Sequence, residues 1–156
     1  MSTHHLAQVN IAKCLAPLHH ATMQGFINSA DKMNAIADAQ EGFIWRLKDE
    51  DKHSAVTVFK DETLIVNVSV WTHMEVLFKY TYQTEHLEIY KRKNEWFSKI
   101  KMTHMAFWYI PKGQLPTLKE AKQRLDYRDK HGDTPYAFSF KSKFTLKDAL
   151  NYELKI

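Results

Sequence analysis

The spacing of apolar and polar positions changes several times along the chain, and each change marks an element. Leu6 to Ala12 (LAQVNIA) mixes β-branched and small residues and predicts a first strand, interrupted by Pro17 and His19-His20. From Thr22 to about Ala39 the apolar positions Met23, Phe26, Ile27, Met33, Ile36 and Ala37 recur at helical spacing. Glu41-Gly42 stops that helix, and Phe43-Ile44-Trp45-Arg46-Leu47 alternates as a second strand before a charged turn, Lys48 to Lys52. Thr63 to Trp71 (TLIVNVSVW) is the clearest strand, rich in β-branched residues.

Thr72 is placed to cap a second helix, with Glu75 completing a capping box. That helix is expected from about His73 to Phe97, bent near Thr84, whose branched side chain is poorer helix material. Thr103 to Ile110 (THMAFWYI) predicts a fourth strand, ended by Pro111 and Gly113. Thr117 caps a third helix running through Glu120 to about His131, closed by Gly132. In the last stretch Phe138 to Phe144 is expected to be extended and Leu146 to Leu154 marginally helical.

The order β, α, β, β, α, β with an added helix is the split βαβ arrangement of ferredoxin-like α+β domains. It predicts one antiparallel sheet with helices on one face, in a single domain of residues 1–156 with a core of about 6–140 and a basic tail, 141–156. On the third segment Leu64, Val66, Val68 and Val70 share one face; Ile65, Asn67, Ser69 and Trp71 share the other. The valine face, with Ala7, Val9 and Ile11, is expected against the helices. The opposite face offers Gln8, Asn10, Asn67, Ser69 and Trp71, uncharged hydrogen-bonding groups beside an indole. A solvated face would carry Lys, Glu and Thr, so something is expected to cover this one. A ligand pocket and a dimer interface both fit that chemistry.

Composition adds limits. The 156 residues are 44% hydrophobic and 13% aromatic, enough for an ordinary core. The net charge of +4 comes from 22 Lys plus Arg against 18 Asp plus Glu spread along the chain, a poor match to a nucleic-acid surface. The densest cluster, Lys91-Arg92-Lys93, sits beside Glu88 and Glu95 as a solvated helical face would. A single cysteine, Cys14, leaves no disulfide framework and suits a reducing, cytoplasmic setting. No stretch reaches the roughly 18–20 apolar residues of a membrane span, and the start lacks a secretory pattern.

No GxGxxG, P-loop, GxSxG or HExxH pattern is present. The second helix carries a sharper feature: Phe78, Tyr82, His86 and Tyr90 recur every fourth residue and form one ridge. A histidine there is either a proton acceptor, a heme or metal ligand, or a half-buried residue held by a hydrogen bond.

The segments LAQVNIA, EGFIWRLKDED, NVSVW, FKYTYQTEH, EWF, FWYIPKG and LPTLKEAKQRL, in this order, resemble the bacterial family known as domain of unknown function 3291, over about Leu6 to Phe140. That resemblance implies membership of the dimeric α+β-barrel superfamily, with antibiotic-biosynthesis and heme-degrading monooxygenases, and hence a homodimer whose two sheets face each other. In the heme-degrading members an Asn of the first strand and a Trp and His of the second helix surround the heme; Asn10 and His86 correspond to two of these, and Tyr80 lies near the third. In the cofactor-free members Asn, Trp and Tyr side chains hold an aromatic substrate for reaction with oxygen, and Asn10, Asn67, Trp71 and Tyr80 are comparable.

The expectation is therefore a small-molecule-binding barrel of monooxygenase type, cofactor-free, acting on an aromatic or polyketide-like compound. His86 would handle a proton and Asn10 and Asn67 orient a ligand oxygen, while Trp45 and Trp71 wall the pocket beside Tyr80, Tyr82 and Tyr90. The alternatives are a heme protein with His86 as axial ligand and a non-catalytic binding or dimerisation module.

Overall fold

In a computed structural model, which describes residues 3–48, 54–100 and 103–155, the chain forms a five-stranded antiparallel sheet flanked by helices. The elements are β1 (His4–Cys14), a 3-10 turn (Ala21–Met23) leading into α1 (Gln24–Asp38), β2 (Phe43–Arg46), α2 (Ser54–Phe59), β3 (Leu64–Trp71), α3 (Met74–Gln83), α4 (His86–Lys91), β4 (Phe97–Ser98), β5 (Met105–Pro111), α5 (Leu118–His131) and α6 (Leu146–Leu150). The sheet runs β2-β3-β1, with both β5 and the short β4 pairing with β1. All pairings are antiparallel, as the split βαβ order requires. The charged turn expected after β2 lies, apart from Lys48, outside the described residues.

Three local departures have identifiable causes. Thr72 does not cap α3: its backbone N–H is taken by the Gly42 carbonyl at 2.8 Å, so the extended chain continues one residue further and His73 becomes the N-cap. The long second helix is broken into α3 and α4 rather than bent. Thr84 Oγ1 donates to the Tyr80 carbonyl at 2.6 Å and accepts the His86 N–H at 3.2 Å, competing with the helix's own ladder at an extended residue. Phe97 consequently leaves the helix and joins β4. The helix α2, just before β3, was not anticipated in the stretch between the second and third strands.

The sheet is covered on both faces, where helices were expected on the valine face alone. Ala7, Val9, Ile11, Val66, Val68, Val70, Ala106 and Trp108 are all at most 3% exposed, packed under Ala121 and Leu125 of α5 with Leu118 and Phe59 at the margin. Ala121 and Leu125 lie one turn apart on α5, and the small Ala121 lets that helix approach the valines closely. The other face, with Leu6, Trp71 and Phe107, packs against Ala37 of α1 and Met74, Val76, Leu77 and Tyr80 of α3. The polar face is thus the one beneath α1 and α3. The uncovered face on which the sequence argument for a partner rested is filled within one chain.

The C-terminal stretch returns to the sheet. Phe138 bridges Phe107, Tyr109 Oη donates to the Phe144 carbonyl at 2.6 Å, and a Thr145–Asp148 capping box starts α6. The Tyr127 and Tyr152 hydroxyls meet at 2.6 Å, fixing the basic tail to α5.

Candidate functional site

Period-two alternation places Gln8 and Asn10 of β1 on the same face as Asn67, Ser69 and Trp71 of β3, and the antiparallel register sets Gln8 opposite Ser69 and Asn10 opposite Asn67. The side chains join in one run. Asn67 Nδ2 donates to Asn10 Oδ1 at 3.1 Å, Asn10 Nδ2 to Gln8 Oε1 at 3.1 Å, and Gln8 Nε2 to Ser69 Oγ at 2.7 Å. Trp71 Nε1 donates to the same Ser69 oxygen at 2.8 Å. Gln8, Ser69 and Trp71 are buried, while Asn10 and Asn67 are half-buried at the far end. Such a network fixes amide orientation, because turning one amide over would place donors against donors.

Aromatic rings continue the line from Trp71. The Trp71 ring lies 5.2 Å from Tyr80, Tyr80 lies 4.7 Å from His86, and His86 lies 6.3 Å from Tyr90, which meets Tyr82 at 5.9 Å. Tyr82 and Phe78 close on Phe140, itself 4.6 Å from Phe107 on β5. Tyr80 hydroxyl donates to the Met33 carbonyl of α1 at 3.1 Å, tying α3 to α1 over the sheet.

The electrostatics single out His86. Its Nδ1 lies 3.0 Å from the Thr81 carbonyl. A carbonyl only accepts, so Nδ1 carries the hydrogen, and Nε2 of the neutral ring holds a free lone pair. Burial lowers the His86 pKa below the ordinary imidazole value, with the bond to Thr81 acting the other way. The side chain is therefore a neutral base at pH 7. Tyr80 is pushed up to about 12, first by burial, and stays protonated as a donor.

Of the residues expected at the site, Asn10, Asn67, Trp71, Tyr80, Tyr82, His86 and Tyr90 fall on this connected line. Trp45 does not. A bulge between Phe43 and Trp45 shifts the register, setting Phe43 opposite Trp71 but Trp45 opposite Val70, so Trp45 packs into the valine-face core. The same shift brings Arg46 opposite Ser69, where its Nε pairs with Asp38 at 3.2 Å. Gln8 and Ser69 are the buried centre of the network, although sequence reading assigned them only to the face. The Met33 and Thr81 carbonyls that orient Tyr80 and His86 leave no trace in side-chain patterns.

A heme on His86 would require a porphyrin-wide slot beside the imidazole. Tyr80 and Tyr90 instead pack on His86 with ring centroids 4.7 and 6.3 Å away, and Trp71 closes on Tyr80 at 5.2 Å. The residues do not fit the macrocycle. Burial raises the Cys14 thiol above its ordinary value, leaving it a poor nucleophile.

Among the described residues no helix is long and apolar enough to cross a membrane. No curated protein matches the chain. Among solved structures it is similar to SnoaB, a cofactor-independent oxygenase from Streptomyces nogalater, at 17% identity and TM-score 0.46, covering 73% of this chain and 99% of that one. It is also similar to PA3566 from Pseudomonas aeruginosa, at 15% identity and TM-score 0.47, covering 73% and 98%. A third is NE2512, a protein of unknown function from Nitrosomonas europaea, at 13% identity and TM-score 0.45, covering 74% and 97%. The model of a domain of unknown function, DUF3291, matches residues 5–154, and the chain therefore belongs to that family.

Proposed function

We propose that the polar line beneath α3 and α4 binds a small electron-rich aromatic compound and that His86 removes a proton from it, as a cofactor-independent oxygenase would require. The observation that carries this reading is the unbroken run from Asn67 through Asn10, Gln8, Ser69 and Trp71 to Tyr80 and His86. It combines oriented amides, a flat aromatic wall and a neutral base. Transfer of its proton to Nε2 turns a hydroxylated ring into a phenolate with carbanion character, electron-rich enough to react with dioxygen directly. Overall, a phenol with a ring C–H para to its hydroxyl and O2 give the quinone and H2O, with the four electrons supplied by the substrate. The amides of Asn10 and Asn67 donate to the ligand oxygen on which negative charge collects.

None of the described α4 residues is buried, and Glu85, just before it, is held by an exposed ion pair with Lys32 at 2.6 Å. An exposed pair of this kind contributes little, roughly 0–1 kcal/mol. His86 opens this segment, and its Nδ1 bond to the Thr81 carbonyl ties the start of α4 to the end of α3, which keeps the base in place beside Tyr80. A homodimer, implied by the resemblance, would pair through outer surfaces such as the edge strand β2, since both sheet faces are filled.

Oxygen uptake with a panel of small hydroxylated aromatics, naphthols among them, in wild type and His86→Gln, tests the reading. Uptake above the protein-free rate, reduced at least tenfold by His86→Gln in a folded protein, supports it; uptake equal to the blank across the panel contradicts it.

A further inference from the structure

A cleft of about 180 Å³ lies away from that line, at the β5 edge of the sheet between α5 and α6. His4, Tyr109, Arg124, Tyr136, Ala149 and Tyr152 line it. Its volume is slightly above the roughly 150 Å³ that accommodates benzene, so it suits a single six-membered ring with one substituent.

Arg124 supplies the chemistry of that substituent. Its guanidinium stacks 3.7 Å from the Tyr136 ring centroid and 5.5 Å from that of Trp108. Nη1 donates to the Tyr136 carbonyl at 2.8 Å, and Nη2 reaches the Glu120 carboxylate only at 3.4 Å. A guanidinium has five N–H groups. Nε of Arg124 is buried with no acceptor among the described residues, and so is Nε1 of the neighbouring Trp108. This corner of the molecule is short of hydrogen-bond acceptors, and a buried donor left unmatched is costly. Burial also pushes the guanidinium below its ordinary pKa, the mark of a cation whose charge is incompletely compensated.

We infer that this cleft is a binding site for a monocyclic carboxylate, its ring between Tyr136 and Tyr152 and its anionic group on Arg124. Planar, bidentate recognition of a carboxylate is what a stacked guanidinium does best. The site is separate from the His86 line and independent of the function proposed there.

Titration of the full chain with benzoate and, separately, with benzyl alcohol tests the inference, followed by saturation-transfer NMR and by the ring shifts of Tyr136 and Tyr152. Benzoate is expected to bind saturably and at least tenfold more tightly than the alcohol. Arg124→Gln should abolish that preference. Ala149→Phe fills the cleft while leaving Arg124 in place, so it should exclude both probes even if the Arg124 variant folds poorly. No saturable benzoate binding, equal affinity for the two probes, or benzoate binding that survives Ala149→Phe would overturn the assignment.

Discussion

Replacing Ser69 by Ala is the sharpest test of the polar network. Ser69 Oγ accepts from both Gln8 Nε2 at 2.7 Å and Trp71 Nε1 at 2.8 Å, and all three residues are at most 7% exposed. The substitution removes one oxygen but leaves two buried donors unmatched, an indole N–H and an amide N–H. Each such donor costs about 1–3 kcal/mol, so a loss of about 2–6 kcal/mol is expected, well beyond the roughly 1 kcal/mol of an average hydrogen bond. With a urea slope of about 2 kcal/mol/M, the midpoint of equilibrium unfolding should fall by about 1–3 M. Trp71→Phe in the Ser69→Ala background removes one of the stranded donors, so the double variant should be less destabilised than the sum of the two singles. A midpoint shift near zero, or strict additivity of the two changes, would refute the reasoning.

Other consequences are equally concrete. His86 is held below the unfolded imidazole value of 6.5, so between the two values the unfolded chain binds more protons and stability rises with pH. Its contribution is complete above about pH 6.5 and falls as the pH drops through that value. Unfolding of His86→Gln, measured from pH 8 to 5, should depend less on pH than that of wild type, and equal slopes would refute the shift. Gly42 has φ +97°, and a Cβ there would lie 2.6 Å from Thr72 Oγ1 and 2.8 Å from a Val76 methyl. Gly42→Ala should therefore cost about 2–4 kcal/mol in a thermal melt. Tyr109→Phe loses the 2.6 Å bond to the Phe144 carbonyl, so it should cost about 1 kcal/mol and speed proteolysis within the C-terminal stretch.

How much of this was legible in the sequence follows from the range of each interaction. The strands, the order βαββαβ and the Thr117 cap were readable, since alternation and capping are local. So was the composition of the polar face, because Gln8, Asn10, Asn67, Ser69 and Trp71 obey a period of two. Which helix covers which face was not readable, as nothing in the pattern of β3 distinguishes α5 from α1 and α3. Trp45 was misplaced because strict alternation sets it beside Phe43, and the bulge that separates them is a backbone event. The break at Thr84 was visible as a weak point, but its completeness depends on a side-chain bond to Tyr80. Arg124 had no motif around it and became visible only once Tyr136 and Trp108 were brought to its two sides.

The most direct measurement of the central claim follows the side-chain amide resonances of Gln8, Asn10 and Asn67, the Trp71 indole N–H and the His86 ring by NMR while a hydroxylated naphthol is added. A small-molecule site on the polar line predicts that these signals shift together and saturate at one ligand concentration, with Trp45 and the valine face unmoved. If they stay fixed while the ligand perturbs only other surfaces, the polar line is a structural network and the proposed site is contradicted.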